Sequence, residues 1–220
     1  MKKVLIVIAA IAALTSCNSG SKSLKTELDS VSYGVGYDLG LFLNQRNQIM
    51  ENTLDYDQVI AAILDLRDGK EKMGEEETYA FLNEYFSVRI PAKKLEAEAK
   101  YLAEIEKQKG VQKTESGLLY EVLAPGSEVK PTIDDVVRVT YEGKLKDGTI
   151  FDSSYQRADT VEFPLNGVIA GWTEGVQLMG EGAKFRFFIP YHLAYGERGA
   201  GQSIPPYAAL IFDVELIEVL

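Results

Sequence analysis

The familiar catalytic sets of nucleophilic and metal chemistry are almost absent from this chain. It holds one histidine, His192, and one cysteine, Cys17, which the pattern of the first residues assigns to lipidation; neither a Cys-His pair nor a His/Cys metal cluster can then be built, and no intramolecular disulfide is possible. A Ser-His-Asp triad would have to use His192, which stands between Tyr191 and Leu193 at a strand end and is read as a surface or core-edge residue. The glycines of "YGERGAGQSIPP" (Gly196, Gly199, Gly201) are followed by no Lys-Ser or Lys-Thr, so they do not form a phosphate-binding loop. What remains are aromatic and aliphatic residues where strands meet loops: Tyr141, Phe151, Phe163, Val168, Ile169, Trp172, Tyr195, Ile204 and Phe212. Such a set is either the core of a small β domain or the lining of an apolar pocket.

Two stretches of different pattern must position these residues. From Leu24 to Gly110 the apolar residues recur with helical spacing. Val31, Val35, Leu39, Phe42 and Leu43 form one stripe. Gly34, Gly36 and Gly40 lie in the same stretch, and each costs a helix about 1 kcal/mol relative to alanine; close approach of another helix would explain them. A second helix has Asp55 as N-cap, Val59, Ile60, Ile63, Leu64 and Leu66 as its apolar face, and Gly69 as its stop. A third, over 75–110, should kink or break near Ile90 because Pro91 removes a hydrogen bond and clashes with the preceding turn. Its second part has only a thin apolar stripe at Leu95, Leu102 and Ile105 and reads as a solvated spacer.

After Gly110 the pattern changes to short runs rich in branched and aromatic residues: "GLLYEVL", "DVVRVTYEG", "TIFDSS", "TVEFPL", "AKFRFFIP" and "AALIFDVELIEV". They predict an antiparallel sheet, with one short helix over "GWTEGVQLM" lying across its concave face. The fold class is therefore α+β: residues 24–74 an all-helical region, 75–110 a linker helix kinked near Pro91, and 111–220 a sheet domain.

Four colinear motifs, "VTYEGKLKDGTIFDSS", "VIAGWTEGVQLMGEGAKFRFFIP", "YGERGAG" and "IPPYAALIFDVELIEV", resemble the FKBP family of peptidyl-prolyl cis/trans isomerases over the segment from about Thr114 to Leu220. The resemblance implies a twisted antiparallel half-barrel around the short helix, with a pocket between them. On the family pattern Trp172 is the pocket floor and Tyr141, Phe151 and Phe212 wall it. The Ile169 backbone N–H is the donor to a substrate carbonyl, and Asp152 and the Tyr195 hydroxyl supply polar contacts. Phe163, Val168 and Leu193 contact the substrate, and Ile204 closes the pocket. Leu193, Ala200 and Ser203 depart from the aromatic, histidine and isoleucine of the best-known cytosolic members, which bears on substrate preference and on affinity for macrolide inhibitors such as rapamycin.

The implied chemistry suits the inventory. Rotating an X-Pro bond breaks no covalent bond but meets a barrier of roughly 18–20 kcal/mol. An apolar, water-poor pocket favours the twisted, less polar amide over the planar one. No cofactor, metal or nucleophile is needed.

The first residues carry a different signal. "MKKVLIVIAAIAALTSC" has basic Lys2 and Lys3 and an apolar run from Val4 to Leu14, too short to span a bilayer as a helix. Leu14-Thr15-Ser16-Cys17 resembles a bacterial lipobox. Residues 1–16 are therefore read as a signal peptide, Cys17 as the lipidated N-terminus, and 17–23 as a flexible tether. Asn18 after the cysteine favours the outer membrane. The formal net charge is −10, from 33 acidic against 23 basic side chains, which argues against a nucleic-acid partner and leaves proteins, peptides or small molecules; the resemblance to the FKBP family implies proline-containing polypeptides among them. The N-terminal half, through "SVSYGVGYDLG", resembles the macrophage infectivity potentiator and the periplasmic FKBP chaperones, which implies a homodimer through the first two helices. A chaperone that binds unfolded chains with little turnover is the alternative function, and a proline-free client separates the two.

Overall fold

The computed structural model describes residues 23–50 and 53–220. The signal peptide over 1–16, Cys17 and all of the tether but Ser23 lie outside the described residues. The chain forms two units, the first ending at Glu71 and the second running from Lys72 to Leu220.

The first unit contains helices α1 (Glu27–Ile49) and α2 (Tyr56–Asp68). Thr26 opens α1 with a capping box: its hydroxyl accepts the Asp29 N–H at 3.0 Å while Asp29 accepts the Thr26 N–H at 2.9 Å. Asp55 caps α2 by accepting the N–H groups of Asp57 and Gln58, and Gly69 ends it in the left-handed conformation at φ 64°. Neither helix buries a side chain. Val31, Val35, Leu39 and Phe42 are each about half-exposed, and a Cβ built on Gly34, Gly36 or Gly40 meets nothing within 4 Å. The close helix contact expected of these glycines is not made among the described residues.

The second unit begins with α3 (Glu75–Glu84), which passes through a π-helical turn, Tyr85–Arg89, into α4 (Ile90–Glu106). The irregularity expected at Pro91 thus takes the form of one widened turn instead of a break. The Ile90 N–H reaches back five residues to the Tyr85 carbonyl, so the wide turn lies immediately ahead of Pro91, the residue that lacks an N–H to continue the ladder.

The end of α4 is not the solvated spacer that its composition suggests. Ile105 is buried against Leu119 and Phe188, with Tyr101, Leu102, Val111 and Ile211 around them. Glu98 is buried too: one carboxylate oxygen accepts the Ala209 N–H at 3.0 Å and the other receives the Lys146 ammonium. Counting aliphatic residues alone missed Tyr101 and the buried carboxylate, which together with Leu102 and Ile105 dock this face.

Seven antiparallel strands follow: β1 (Val111–Lys113), β2 (Leu119–Ala124), β3 (Val136–Lys144), β4 (Ile150–Ser153), β5 (Val161–Pro164), β6 (Lys184–Ile189) and β7 (Leu210–Val219). Their order is β1-β2-β6-β7-β3-β4, with β5 also pairing β3. The six predicted runs all form strands; β1, three residues long, is too short to leave a periodic signal. Alternation sends Val137, Val139 and Tyr141 of β3, and Phe212, Val214 and Leu216 of β7, into one core. A one-turn helix, α5 (Ser154–Arg157), follows β4, and α6 (Ala170–Val176) packs on the core face. Gly171 and Gly175 allow that close packing, since a Cβ on them would stand 2.4 Å from Ile189 Cγ2 and 2.6 Å from Phe187 Cε1.

Candidate functional site

Between α6 and the sheet lies a pocket of about 550 Å³, lined by Tyr141, Phe151, Asp152, Phe163, Gly167, Val168, Ile169, Trp172, Tyr195 and Phe212. Trp172, in the first turn of α6 and buried, stands edge-to-face with three other rings. The centroid separations are 5.2 Å to Tyr141, 5.3 Å to Phe212 and 5.7 Å to Phe163, all at 82–89°. Phe151 meets Phe212 in the same way at 5.5 Å. Such pairs contribute about 0.5–1.5 kcal/mol each beyond area burial, so the aromatic lining is held as one set. Register makes it possible: Gly143 of β3 lies opposite Phe212 on one side and Asp152 on the other.

The polar edge is small, and Tyr141, Asp152 and Arg157 within it are bonded to one another. The Tyr141 hydroxyl donates to one Asp152 oxygen at 2.6 Å, Arg157 Nη1 donates to the other at 2.5 Å, and Arg157 Nη2 donates to the Tyr141 oxygen at 3.1 Å. Burial alone would raise the Asp152 carboxyl, but the hydrogen bonds from Tyr141 and Arg157 and the guanidinium charge outweigh it and hold the group below the ordinary carboxylate range. Burial first, then the bond to Asp152, pushes the Tyr141 phenol up. At neutral pH the pocket therefore presents an ionised carboxylate beside a neutral phenol. Ile169 is the N-cap of α6, and its N–H donates to no acceptor among the described residues. An apolar ring on Trp172 with an adjacent amide at this edge fits that arrangement.

Nine of the residues singled out in the sequence come together here: Tyr141, Phe151, Asp152, Phe163, Val168, Ile169, Trp172, Tyr195 and Phe212. Ile204 and Leu193 lie outside the lining. Ile204 pairs with Ala200 through two backbone hydrogen bonds, which fold the loop on itself, and its side chain is buried in the core. Leu193 ends a short 3₁₀ turn, Tyr191–Leu193, and is half-buried against the same core. His192 is likewise outside, its Nε2 lying 3.1 Å from the Ser116 carbonyl. Sequence reasoning missed Gly167 and Arg157. For Arg157 a signal existed, since "DSSYQRAD" places a serine N-cap after Asp152 and so returns the chain in one turn.

Comparison with known proteins agrees with this geometry. Residues 127–217 match the model of the FKBP-type peptidyl-prolyl cis-trans isomerase, and residues 28–122 that of the domain amino terminal to it. The chain is 39% identical to the FKBP-type peptidyl-prolyl cis-trans isomerase FkpA of Aeromonas hydrophila, over 99% of this chain and 94% of that protein. It is 42% identical to the FKBP-type 22 kDa peptidyl-prolyl cis-trans isomerase of Escherichia coli K12, over 86% and 94%. The crystal structure of FkpA from Escherichia coli superimposes with a TM-score of 0.59 at 34% identity, covering 90% of this chain and 98% of that one. A ring-lined pocket over a buried tryptophan, on a sheet and helix shared with these enzymes nearly end to end, makes the chain a member of the FKBP-type peptidyl-prolyl cis-trans isomerase family.

Proposed function

We propose that prolyl-bond isomerisation takes place in the pocket over Trp172, on X-Pro bonds of exported polypeptides. The observation that carries this is the convergence of nine residues singled out in the sequence around one cavity, with the buried Trp172 ring edge-to-face against three of its aromatic walls. The proline ring rests on the Trp172 indole between Phe151, Phe212 and Tyr141, and the Ile169 N–H donates to a substrate carbonyl. Excluding water removes the solvation that favours the planar, more polar amide, so the twisted form gains relative to it. Turnover of a Leu-Pro tetrapeptide tests the assignment. Phe151→Ala removes one perpendicular pair and should lower kcat/KM about tenfold, with the near-UV dichroism of Trp172 retained. Unchanged turnover would place the chemistry elsewhere.

The first unit supports a second element of the proposal. Its apolar stripe and three unopposed glycines suit a homodimer through α1 and α2, and Cys17 suits a lipid anchor that holds the exported dimer to the outer membrane. Sedimentation of a chain starting at Ser19 should then return twice the monomer mass, and detergent-phase partitioning of the full chain should be lost in Cys17→Ser. A monomer mass, or partitioning that survives the substitution, would refute the respective part.

A further inference from the structure

We infer that Arg157 is a positioning residue for this reaction: its forked contact with Asp152 and Tyr141 keeps the carboxylate fixed at the pocket edge and keeps the Tyr141 hydroxyl turned away from the substrate. The inference rests on the proposal that the pocket over Trp172 is where the bond turns over.

Arg157 does not line the pocket. It nevertheless bonds both polar side chains of that edge, Nη1 to Asp152 and Nη2 to Tyr141, while Tyr141 bonds Asp152. The three groups close a triangle in which every partner is bonded twice. A bidentate guanidinium fixes planar geometry as well as charge. The turn that delivers it is stitched to the same tyrosine. Ser154 is fully buried, and its hydroxyl accepts the Tyr141 N–H at 2.8 Å and donates to the Tyr141 carbonyl at 3.3 Å. The Ser153 hydroxyl caps α5 by accepting the Gln156 N–H, and Ala158 closes it in the left-handed region at φ 52°, a conformation that disfavours a residue with a Cβ. Backbone and side chain of Tyr141 are thus both gripped by residues 153–157.

The consequence is chemical. A phenol has one proton; here it goes to Asp152, and the phenol oxygen receives Arg157, so Tyr141 has no hydrogen bond to give the substrate amide. Asp152 is the only charged residue of the lining. Tyr141 from β3 and Arg157 from α5 face it, and the Tyr195 hydroxyl, from the segment after β6, shares the pocket. In the planar amide, resonance places negative charge on the carbonyl oxygen, and twisting withdraws it. A fixed carboxylate nearby disfavours the planar form more than the twisted one. A protonated or wandering carboxyl would not.

The test is kcat/KM for a prolyl tetrapeptide between about pH 4 and 8, the range over which a carboxyl titrates, by a protease-free assay. Wild type, Arg157→Gln, Arg157→Lys and Phe151→Ala are compared. Arg157→Gln should lose activity at acid pH, its acid limb moved up by about one pH unit, because the carboxyl has lost the cation that held it ionised. Arg157→Lys should return the limb toward wild type while the plateau stays several-fold low, since lysine restores charge but not the fork. A role confined to folding would scale every pH alike, so a profile parallel to wild type in both variants overturns the inference. Should Arg157→Gln fail to fold, Arg157→Lys decides together with its stability: a several-fold lower plateau at a wild-type urea midpoint and near-UV dichroism supports the inference, and a wild-type plateau, or a loss matched by a lower midpoint, overturns it. Phe151→Ala keeps the two ideas apart: if it lowers turnover while the Arg157 profiles stay parallel, only the inference fails, and if it has no effect the pocket assignment fails first.

Discussion

Alanine at Gly143 is expected to lower kcat/KM about thirtyfold while the sheet still forms. A Cβ at this position would stand 2.6 Å from Phe212 Cε1 and 2.7 Å from Phe151 Cζ, closer than any carbon pair tolerates, so both rings must move. Phe212 cannot move freely, because it is buried between Trp172, Tyr141 and Phe151. Overpacking of this kind costs about 1–3 kcal/mol, and about 2 kcal/mol lost from the bound transition state is about thirtyfold in rate. The position is central in β3, paired on both sides, so alanine satisfies the backbone and the effect falls on the rings. Peptide turnover measured together with the aromatic NMR signals checks it. Turnover within twofold of wild type, with ring signals unmoved, would show that the lining tolerates displacement and is not held as one set.

The largest effect on stability is expected from Glu98→Ala, about 2 kcal/mol, read from the midpoint of urea unfolding. The substitution orphans the Ala209 N–H, which is buried, and removes a carboxylate that is itself buried. Glu98→Gln keeps an acceptor for Ala209 and loses only the attraction to Lys146, so it should cost about half as much. Lys146→Met should cost least, below about 0.5 kcal/mol, because the lysine is 43% exposed. The order matters more than the values. If Lys146→Met matches Glu98→Ala, the ion pair and not the backbone contact holds α4.

Much of this was legible in the sequence, for identifiable reasons. The strands alternate cleanly: Val137, Val139 and Tyr141 follow the pleat, and the run from Leu210 to Leu216 repeats it. The caps at Asp55 and Gly69 are local chemistry that needs no tertiary context. The pocket residues emerged because their motifs are colinear. What stayed hidden depends on contacts made at long sequence separation or on backbone detail. Glu98 reads as one more solvated acid in an Ala/Glu/Lys helix until Ala209, far along the chain, needs an acceptor. Ile204 sits in a Gly-rich loop whose self-pairing with Ala200 turns it into the core. Pro91 announces a disturbance, but whether the helix breaks or widens is decided by the turn before it.

The docking of α4 determines where this chain can be cut. Leu119 pairs with Phe188, and Phe188 with Ile211, across three adjacent strands, so these side chains form one row on the face that α4 covers. A fragment starting at the change of pattern near Gly110 would expose that row beside the short edge strand β1. An uncovered apolar row next to a free strand edge is a template for self-association. A fragment that begins inside the helix, ahead of Glu98, keeps the row covered and is expected to stay monodisperse in light scattering where one beginning at Gly110 self-associates, so its boundary is a matter of colloidal behaviour and not of the chemistry of the pocket.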